Sequence, residues 1–329
     1  MTFRAMVINK SDDALECGVA QLDESQLPKG DVLVDVEYST INYKDGLVLQ
    51  GLGNLVKSYP HVPGVDFAGT VRHSDVPVFK VGDRVVLTGW RVGEIHWGGL
   101  AEKARVRGEW LLPLPEAIST RDAMAVGTAG LTAMLAVMEL EDQGLKPANG
   151  PIIVTGATGG VGTFATRILA DLGYEVHALS GKPEMVDYLK QLGASAVIPR
   201  SEMSEASKRP LEGARWAGCI DAVGGTVLSR VLAQMEYGGV VAAIGLAGGA
   251  DLNTTVVPFL LRAIKLIGID SVMCPADRRR QAWLRLAESG VIQKVSVGLQ
   301  EVGLDVVPDI GRQIVGGEIS GRVLVNVGA

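Results

Sequence analysis

Cysteine is scarce in this chain. Cys17, Cys219 and Cys274 are the only three, they stand far apart, and none has the paired spacing that a metal site needs. They read as reduced, buried small hydrophobes. Positive charge is also short: 31 lysines and arginines face 37 aspartates and glutamates, a net charge of −6, which argues against a nucleic-acid surface. No apolar run approaches the length of a membrane span. At the N-terminus Arg4, Asn9 and Lys10 interrupt the hydrophobics, so a secretory core is missing there. The expectation is a cytoplasmic protein with neither membrane nor nucleic acid as partner. Repeats, low-complexity tracts and long linkers are absent too, which predicts domains packed closely around a cleft, the usual place for a ligand.

What is present is length and a change of pattern. A chain of 329 residues can build two sizeable cores. Residues 1–120 read as β-rich: Val32 to Tyr38 alternates with period two, and Gly64–Val71 and Val81–Leu87 are short strands bounded by turns. From 121 to 271, helical segments alternate with apolar strands beginning near 152, 174, 196, 218, 239 and 265, the signature of a doubly wound parallel sheet. Residues 272–329 open with a charged helix, Ala276 to Ser289, and end in Gly321-Arg322-Val323-Leu324-Val325-Asn326-Val327, a strand expected to return to the first domain. The fold class is therefore α/β, a β-rich domain joined to a Rossmann domain.

The stretch Ile152-Ile153-Val154-Thr155-Gly156-Ala157-Thr158-Gly159-Gly160-Val161-Gly162 runs from a strand through glycines into an amphipathic helix. That geometry holds a dinucleotide pyrophosphate: Gly159 lets backbone approach phosphate, Gly162 lets helix pack on strand, and the helix N-terminus offers free N–H groups. Ala157 stands where the usual first glycine would be. About twenty residues on, the next strand ends in Ser180-Gly181-Lys182. A site for NAD puts a carboxylate at this point to accept from the ribose 2′-hydroxyl. Here no acid stands there to repel a 2′-phosphate, so the preferred cofactor is NADPH, with Lys182 the main charge partner and Arg200, after the third strand, a second.

This order of parts resembles the medium-chain dehydrogenase/reductase superfamily, in which a GroES-like β-rich catalytic domain is interrupted by a Rossmann domain and completed by the C-terminus. The resemblance covers the whole chain. Zinc alcohol dehydrogenases of that superfamily place metal ligands in stretches that correspond here to Asn42-Tyr43-Lys44-Asp45, Pro63-Gly64-Val65-Asp66-Phe67-Ala68-Gly69 and Gly127-Thr128-Ala129-Gly130. None keeps its metal-binding side chain, and the four-cysteine lobe is missing, so no metal is expected. Without a Lewis acid to stabilise an alkoxide, reduction of a conjugated double bond becomes the better chemistry. Within the superfamily the chain looks like the zinc-free quinone oxidoreductase branch, and within it most like acrylyl-coenzyme A reductases. That narrower match is carried by Leu87 to Glu102, Ser180-Gly181-Lys182, Pro258-Phe259-Leu260-Leu261-Arg262 and Gly268 to Met273.

The implied reaction is hydride delivery from NADPH to the β-carbon of acrylyl-CoA, passage of charge to the thioester oxygen, and protonation at the α-carbon to give propanoyl-CoA. Positioning in a dry cleft and donors at the enolate oxygen would carry the catalysis. Asn42 and Tyr43 are the candidates for organising this centre, with Tyr43 also placed by the resemblance against the nicotinamide. The further cofactor contacts it implies are Thr158, Gly159, Gly160 and Val161 at the pyrophosphate, Ser180, Lys182 and Arg200 at the 2′-phosphate, Leu246 and Ser271 beside the nicotinamide, and Asn326 in the returning strand. Several readings stay open. Asp45 either caps a helix or takes part in catalysis; Trp90, His96 and Trp97 either shape an acyl pocket or pack; Arg278-Arg279-Arg280 is either a solvated helix face or a partner of coenzyme A phosphates. A broader NADPH:quinone or enone oxidoreductase and a non-catalytic NADPH sensor are the rival functions, and a homodimer is expected from the superfamily.

Overall fold

The structure is a computed structural model that describes residues 1–11, 14–295 and 298–329. The chain forms two compact units, one of residues 1–128, 271–287 and 296–329 and one of residues 129–270 and 288–295. The break therefore falls eight residues after the change of pattern at 120. Residues 288–295, expected with the C-terminal segment, belong instead to the second unit.

The first unit opens with strands β1 (Thr2–Ser11) and β2 (Ala14–Asp23), which pair antiparallel as a two-stranded sheet. Successive residues of a strand face opposite sides, and β1 buries both. Met6 and Ile8 enter the main core, while Phe3, Ala5 and Val7 enter a smaller one with Leu33 and Val62. The main sheet then begins with β3 (Val32–Ile41), followed by helix α1 (Tyr43–Leu49) and strands β4 (Asp66–Ser74), β5 (Arg84–Thr88), β6 (Lys103–Val106) and β7 (Leu112–Pro113). Period-two burial of Val32, Val34 and Val36 puts one face of β3 on the core with Phe67, Val71, Val85 and Leu87.

Helix α2 (Thr120–Asp142) contains a break at Gly127, where φ is +50° and ψ is −157°. The residues on either side of that glycine form two helical stretches, and the second leads into the Rossmann unit. By length and composition α2 is apolar enough to cross a membrane, contrary to the expectation that no apolar run reaches that length. Yet 89% of that window is buried, as in the core helix of a soluble protein.

In the second unit a six-stranded sheet has the order β10-β9-β8-β11-β12-β13, all parallel. The strands are β8 (Ile152–Thr155), β9 (Val176–Ser180), β10 (Ala196–Pro199), β11 (Trp216–Asp221), β12 (Met235–Ala243) and β13 (Lys265–Gly268). In chain order this is 3-2-1-4-5-6, the doubly wound arrangement whose reversal point lies beside β8. Helices α3 (Gly160–Asp171), α4 (Val186–Gln191), α5 (Gly225–Ala233) and α6 (Val257–Arg262) connect the strands. Phe164, Ala165, Ile168 and Leu169 recur at helical spacing and are the buried face of α3.

Helix α7 (Ala276–Ser289) starts the return to the first unit, and α8 (Val291–Lys294) packs on α3, where Lys294 pairs with Asp171 at 2.9 Å. Strand β14 (Leu299–Val302), helix α9 (Val307–Val315) and strand β15 (Arg322–Asn326) complete the main sheet, β15 lying antiparallel to β3. The C-terminus thus closes the sheet that the N-terminal segment began.

Candidate functional site

The glycine stretch forms a cradle at the end of β8. Gly156 takes φ +61° and its carbonyl accepts from Gly159 N at 2.9 Å. A glycine is needed for that turn, and here Gly156 supplies it one residue early, which is why Ala157 is tolerated. A Cβ on Gly162 would lie 2.4 Å from Gly156 O and 2.6 Å from Ala157 Cα, so only glycine lets α3 approach β8 this closely. Gly160 and Val161 stand at the first turn of α3, where amides lack intrahelical partners, and both are partly exposed while Thr158 is buried. One part of the cradle was not anticipated. Thr155 donates to Asp221 Oδ1 at 2.6 Å and accepts from Ala222 N, and Asp221 Oδ2 accepts from Gly224 N, locking the tips of β8 and β11 together.

The three residues expected at the 2′-phosphate converge. Ser180 ends β9 and its hydroxyl accepts from Lys182 N at 3.0 Å; in the neighbouring strand Pro199 is the register partner of Ser180, which brings Arg200 alongside. The Arg200 guanidinium lies against Gly181, where a Cβ would sit 3.0 Å from its Cζ and Nε. Leu246 is exposed in the turn after β12, close to Gly224, whose own Cβ would meet Leu246 Cα at 3.2 Å.

In the first unit, the three stretches that correspond to metal-ligand stretches come together as a buried polar network. Asn42 precedes α1; its backbone N–H donates to Asp45 Oδ2 at 2.8 Å, and its side-chain Nδ2 donates to Asp66 Oδ2 at 2.9 Å and to Asp45 Oδ2 at 3.3 Å. Its Oδ1 accepts from Arg322 Nη1 at 3.0 Å. Asp66 also accepts from the Thr128 amide at 2.7 Å and from its hydroxyl. Arg322 further donates to Thr40 Oγ1 at 2.8 Å and Ala125 O at 3.1 Å. Asp45 takes the capping alternative: it is the third residue of α1, its carboxylate accepts from the Asn42 amide at the N-cap to complete a capping box, and it also accepts from the Val65 amide. Burial pushes its pKa up to about 7 against the lowering effect of those donors, with the nearby Asp66 charge adding to the rise. Burial likewise raises Asp66 and lowers Arg322, each opposed by the other's charge. Tyr43 follows Asn42 and is 41% exposed, so its ring is presented on the surface of this unit.

Asn326 is not part of this cluster. It lies four residues along β15 from Arg322, roughly 13 Å away at strand rise, and its side-chain oxygen accepts from Gly328 N at the chain end. Arg322 is the residue of β15 that reaches the site. No group of three or more His, Cys, Asp and Glu among the described residues is arranged to hold a metal ion.

The segment Ser271 to Cys274 is strapped to the end of β5 by Arg279. That side chain is 1% exposed, donates to Thr88 O at 2.6 Å and to the Ser271 and Val272 carbonyls at 3.1 Å, and lies 4.9 Å over the Trp90 ring. Arg279 is thus neither a solvated residue nor available to a phosphate, and Arg280 pairs with Asp277. Trp90 and His96 take the packing alternative: His96 contacts Arg105 O at 2.8 Å with its ring edge-on to Trp110. Trp97 donates to Pro60 O at 3.1 Å.

Comparison with known proteins agrees with this geometry. Residues 28–116 match the alcohol dehydrogenase GroES-like domain and residues 160–288 the zinc-binding dehydrogenase domain. The chain is 56% identical to the acrylyl-CoA reductase AcuI of Ruegeria pomeroyi, with 99% of this chain and all of that protein aligned. It is 44% identical to the putative quinone oxidoreductase YhfP of Bacillus subtilis, with 99% of each aligned, and the crystal structure of yhfP with NAD bound superposes with a TM-score of 0.94 over 99% of this chain and all of that one. The yhdH oxidoreductase from Salmonella enterica in complex with NADP superposes with a TM-score of 0.95 at 50% identity, covering 98% of this chain and 99% of that one. The matched zinc-binding domain excludes residues 42, 66 and 128, so its name carries no metal to those positions. With a GroES-like unit, a six-stranded Rossmann unit and relatives aligned end to end, the chain belongs to the medium-chain dehydrogenase/reductase family.

Proposed function

We propose that this protein is an NADPH-dependent reductase of the activated C=C bond of acrylyl-CoA, yielding propanoyl-CoA. The observation that carries the substrate is the 56% identity, over essentially the whole length of both chains, to an acrylyl-CoA reductase. The cofactor reading rests on this chain's own residues, since one near relative is described with NAD and another with NADP. Ser180, Lys182 and Arg200 stand together with no acid in the Ser180 to Lys182 tip, which suits a 2′-phosphate and lacks the carboxylate that an NAD site sets against the 2′-hydroxyl. Thr158, Gly159, Gly160 and Val161 would hold the pyrophosphate, with Leu246 and Ser271 beside the nicotinamide. When bound, NADPH supplies the hydride.

The protein's part is to hold and orient. Arg322 and Asp66 fix both ends of the Asn42 carboxamide, so Asn42 serves as the rigid support from which Tyr43 is presented to cofactor and acceptor. Tyr43 takes a binding role, and solvent supplies the α-proton. The subunits pair as a homodimer in the cytoplasm. Strand β13 is an edge of its sheet, and Val256, Leu260 and Leu261 beside it are 66%, 74% and 64% exposed, an apolar margin that invites a second copy.

The test is NADPH oxidation with acrylyl-CoA, crotonyl-CoA, a simple enone and a quinone side by side. The reading requires kcat/KM to be highest for acrylyl-CoA. Equal efficiency on quinones would favour the broader oxidoreductase, for which the likeness to YhfP speaks. Stoichiometric NADPH binding without turnover on any acceptor would make the protein a sensor.

A further inference from the structure

A cavity of about 320 Å³ opens in the first unit, at the end of α1 remote from Tyr43. That volume is at the lower end of ligand cavities, roughly 300–1,000 Å³. Its apolar lining is Val48 of α1 with Leu55, Val56 and Tyr59 of the following segment; Val48 and Val56 are buried, Leu55 and Tyr59 partly so. Two lysines complete the wall, Lys10 from the end of β1 and Lys57. The two are brought to one cavity by the backbone pairing of Ile8 with His61, at 2.8 and 2.9 Å. Both lysines are exposed, and neither has an ion-pair partner among the described residues. The rim is a tight turn in which Gly51, Gly53 and Asn54 all take positive φ.

An apolar floor beside two uncommitted ammonium groups suits a ligand that is part flat or aliphatic and part phosphate. The chain as a whole carries net negative charge, so these cations are not part of a general basic surface. The position matters as much as the chemistry. Helix α1 has seven residues, about 10 Å of rise, with Asn42 and Tyr43 at its start and the cavity at its end. In coenzyme A the pantetheine arm separates the thioester from the phosphates by more than that length. The arm is therefore long enough for a thioester held beside Tyr43 to reach the cavity with its nucleotide.

We propose that this cavity binds the phosphorylated nucleotide end of the acyl-CoA substrate, with Lys10 and Lys57 on its phosphates and the apolar wall against the pantetheine arm and adenine. The inference rests on the acyl-CoA reading and specifies where that substrate's handle is held. It also assigns the coenzyme A phosphates to residues outside the Arg278 to Arg280 run, of which Arg279 is buried and committed.

The test uses the whole protein with Lys10→Ala/Lys57→Ala, exposed positions where truncation leaves folding intact. Two acceptors are compared at saturating NADPH: acrylyl-CoA and acrylyl-pantetheine, which keeps the thioester and lacks the phosphates. The expected result is a rise of about tenfold in KM for acrylyl-CoA, equivalent to about 1.4 kcal/mol, with kcat held and no change for acrylyl-pantetheine. Charge reversal in Lys10→Glu/Lys57→Glu deepens the effect, and added salt shrinks the wild-type advantage of acrylyl-CoA. An unchanged KM for acrylyl-CoA, or an equal rise for both acceptors, overturns the proposal. Calorimetric binding of free coenzyme A separates it from the substrate assignment. If wild-type protein binds coenzyme A and the double variant binds it tenfold more weakly, the cavity stands even where acrylyl-CoA proves a poor substrate. If the double variant binds it equally well, or the wild type does not bind it, the cavity falls.

Discussion

Gly127→Ala tests the network that supports Asn42. Gly127 breaks α2 with φ +50° and ψ −157°, a backbone region essentially confined to glycine, where another residue costs about 1–3 kcal/mol. A Cβ there would also lie 2.6 Å from Arg322 Nη2, 2.7 Å from Asp66 Oδ2 and 3.0 Å from Thr40 Cγ2. None of these atoms is a loose end. Arg322 Nη2 donates to Thr40, and Asp66 Oδ2 accepts from Asn42 and Thr128. Moving either group loses at least one hydrogen bond to a charge, worth about 1.5–3 kcal/mol. The two contributions give a destabilisation of about 2.5–6 kcal/mol, a large share of the ~5–15 kcal/mol that holds a typical domain. Gly82→Ala is the internal control, because Gly82 has φ +93° and nothing within 4 Å of its Cβ; it carries the strain without the collision. Urea unfolding followed by near-ultraviolet circular dichroism, with NADPH oxidation measured in parallel, reads both. We expect Gly127→Ala to lose about 1.5–3 kcal/mol more stability than Gly82→Ala loses, and to lose turnover while NADPH binding through Ser180, Lys182 and Arg200 persists. Equal losses in the two variants would refute the claim that a packed ionic network surrounds Gly127.

Three further outcomes are expected. Lys182→Glu raises KM for NADPH at least tenfold more than KM for NADH, because it puts a carboxylate where the 2′-phosphate is read; equal effects on the two cofactors would remove that contact. Asp45, with its pKa raised to about 7, keeps in the folded state a proton that the unfolded chain releases near pH 4. Its contribution therefore weakens the fold progressively as pH rises from about 4 to 7. Asp45→Asn should flatten the fall in Tm between pH 5 and 8 whatever it does to Tm itself, and an unchanged slope would place the titrating group elsewhere. Leu260→Glu/Leu261→Glu should convert dimer to monomer in light scattering, and a dimer that survives it does not use the β13 margin.

The parts legible in the sequence were those written locally. Strand and helix alternation from 152 to 265 yields the parallel sheet because each element carries its own period, and the Ser180 to Lys182 tip is readable because strand end and glycine turn lie at a fixed spacing. Arg200 joined it through simple parallel register, Pro199 beside Ser180. The network around Asn42 was only half visible. Asn42, Asp66 and Thr128 lay in stretches already picked out by their lack of metal ligands. Arg322 was one charge in an apolar strand, 280 residues from the carboxamide it binds, and no local period reports such a pairing. Its signal was the lone arginine opening a strand that is otherwise buried. Arg279 was hidden for the opposite reason: between Arg278 and Arg280 its charge looked like surface, while helical phase turned it inward. Strand β1 escaped the alternation test because it buries both faces, so apolar and polar positions do not separate.

The glycines of the cradle also set how this protein can vary. At Gly162 any side chain meets backbone on two sides, and backbone cannot swing away, so variants at that position will be all-or-none. At Gly159 the nearest atom to an added Cβ is 3.3 Å off, and a small shift accommodates it. A saturation library screened for folded protein should therefore recover alanine or serine at 159 but glycine alone at 162, whereas a screen for NADPH retention should keep glycine at both, because backbone at 159 has to approach the pyrophosphate; cofactor specificity is better redesigned from Ser180 and Lys182 than from the turn that all dinucleotides share.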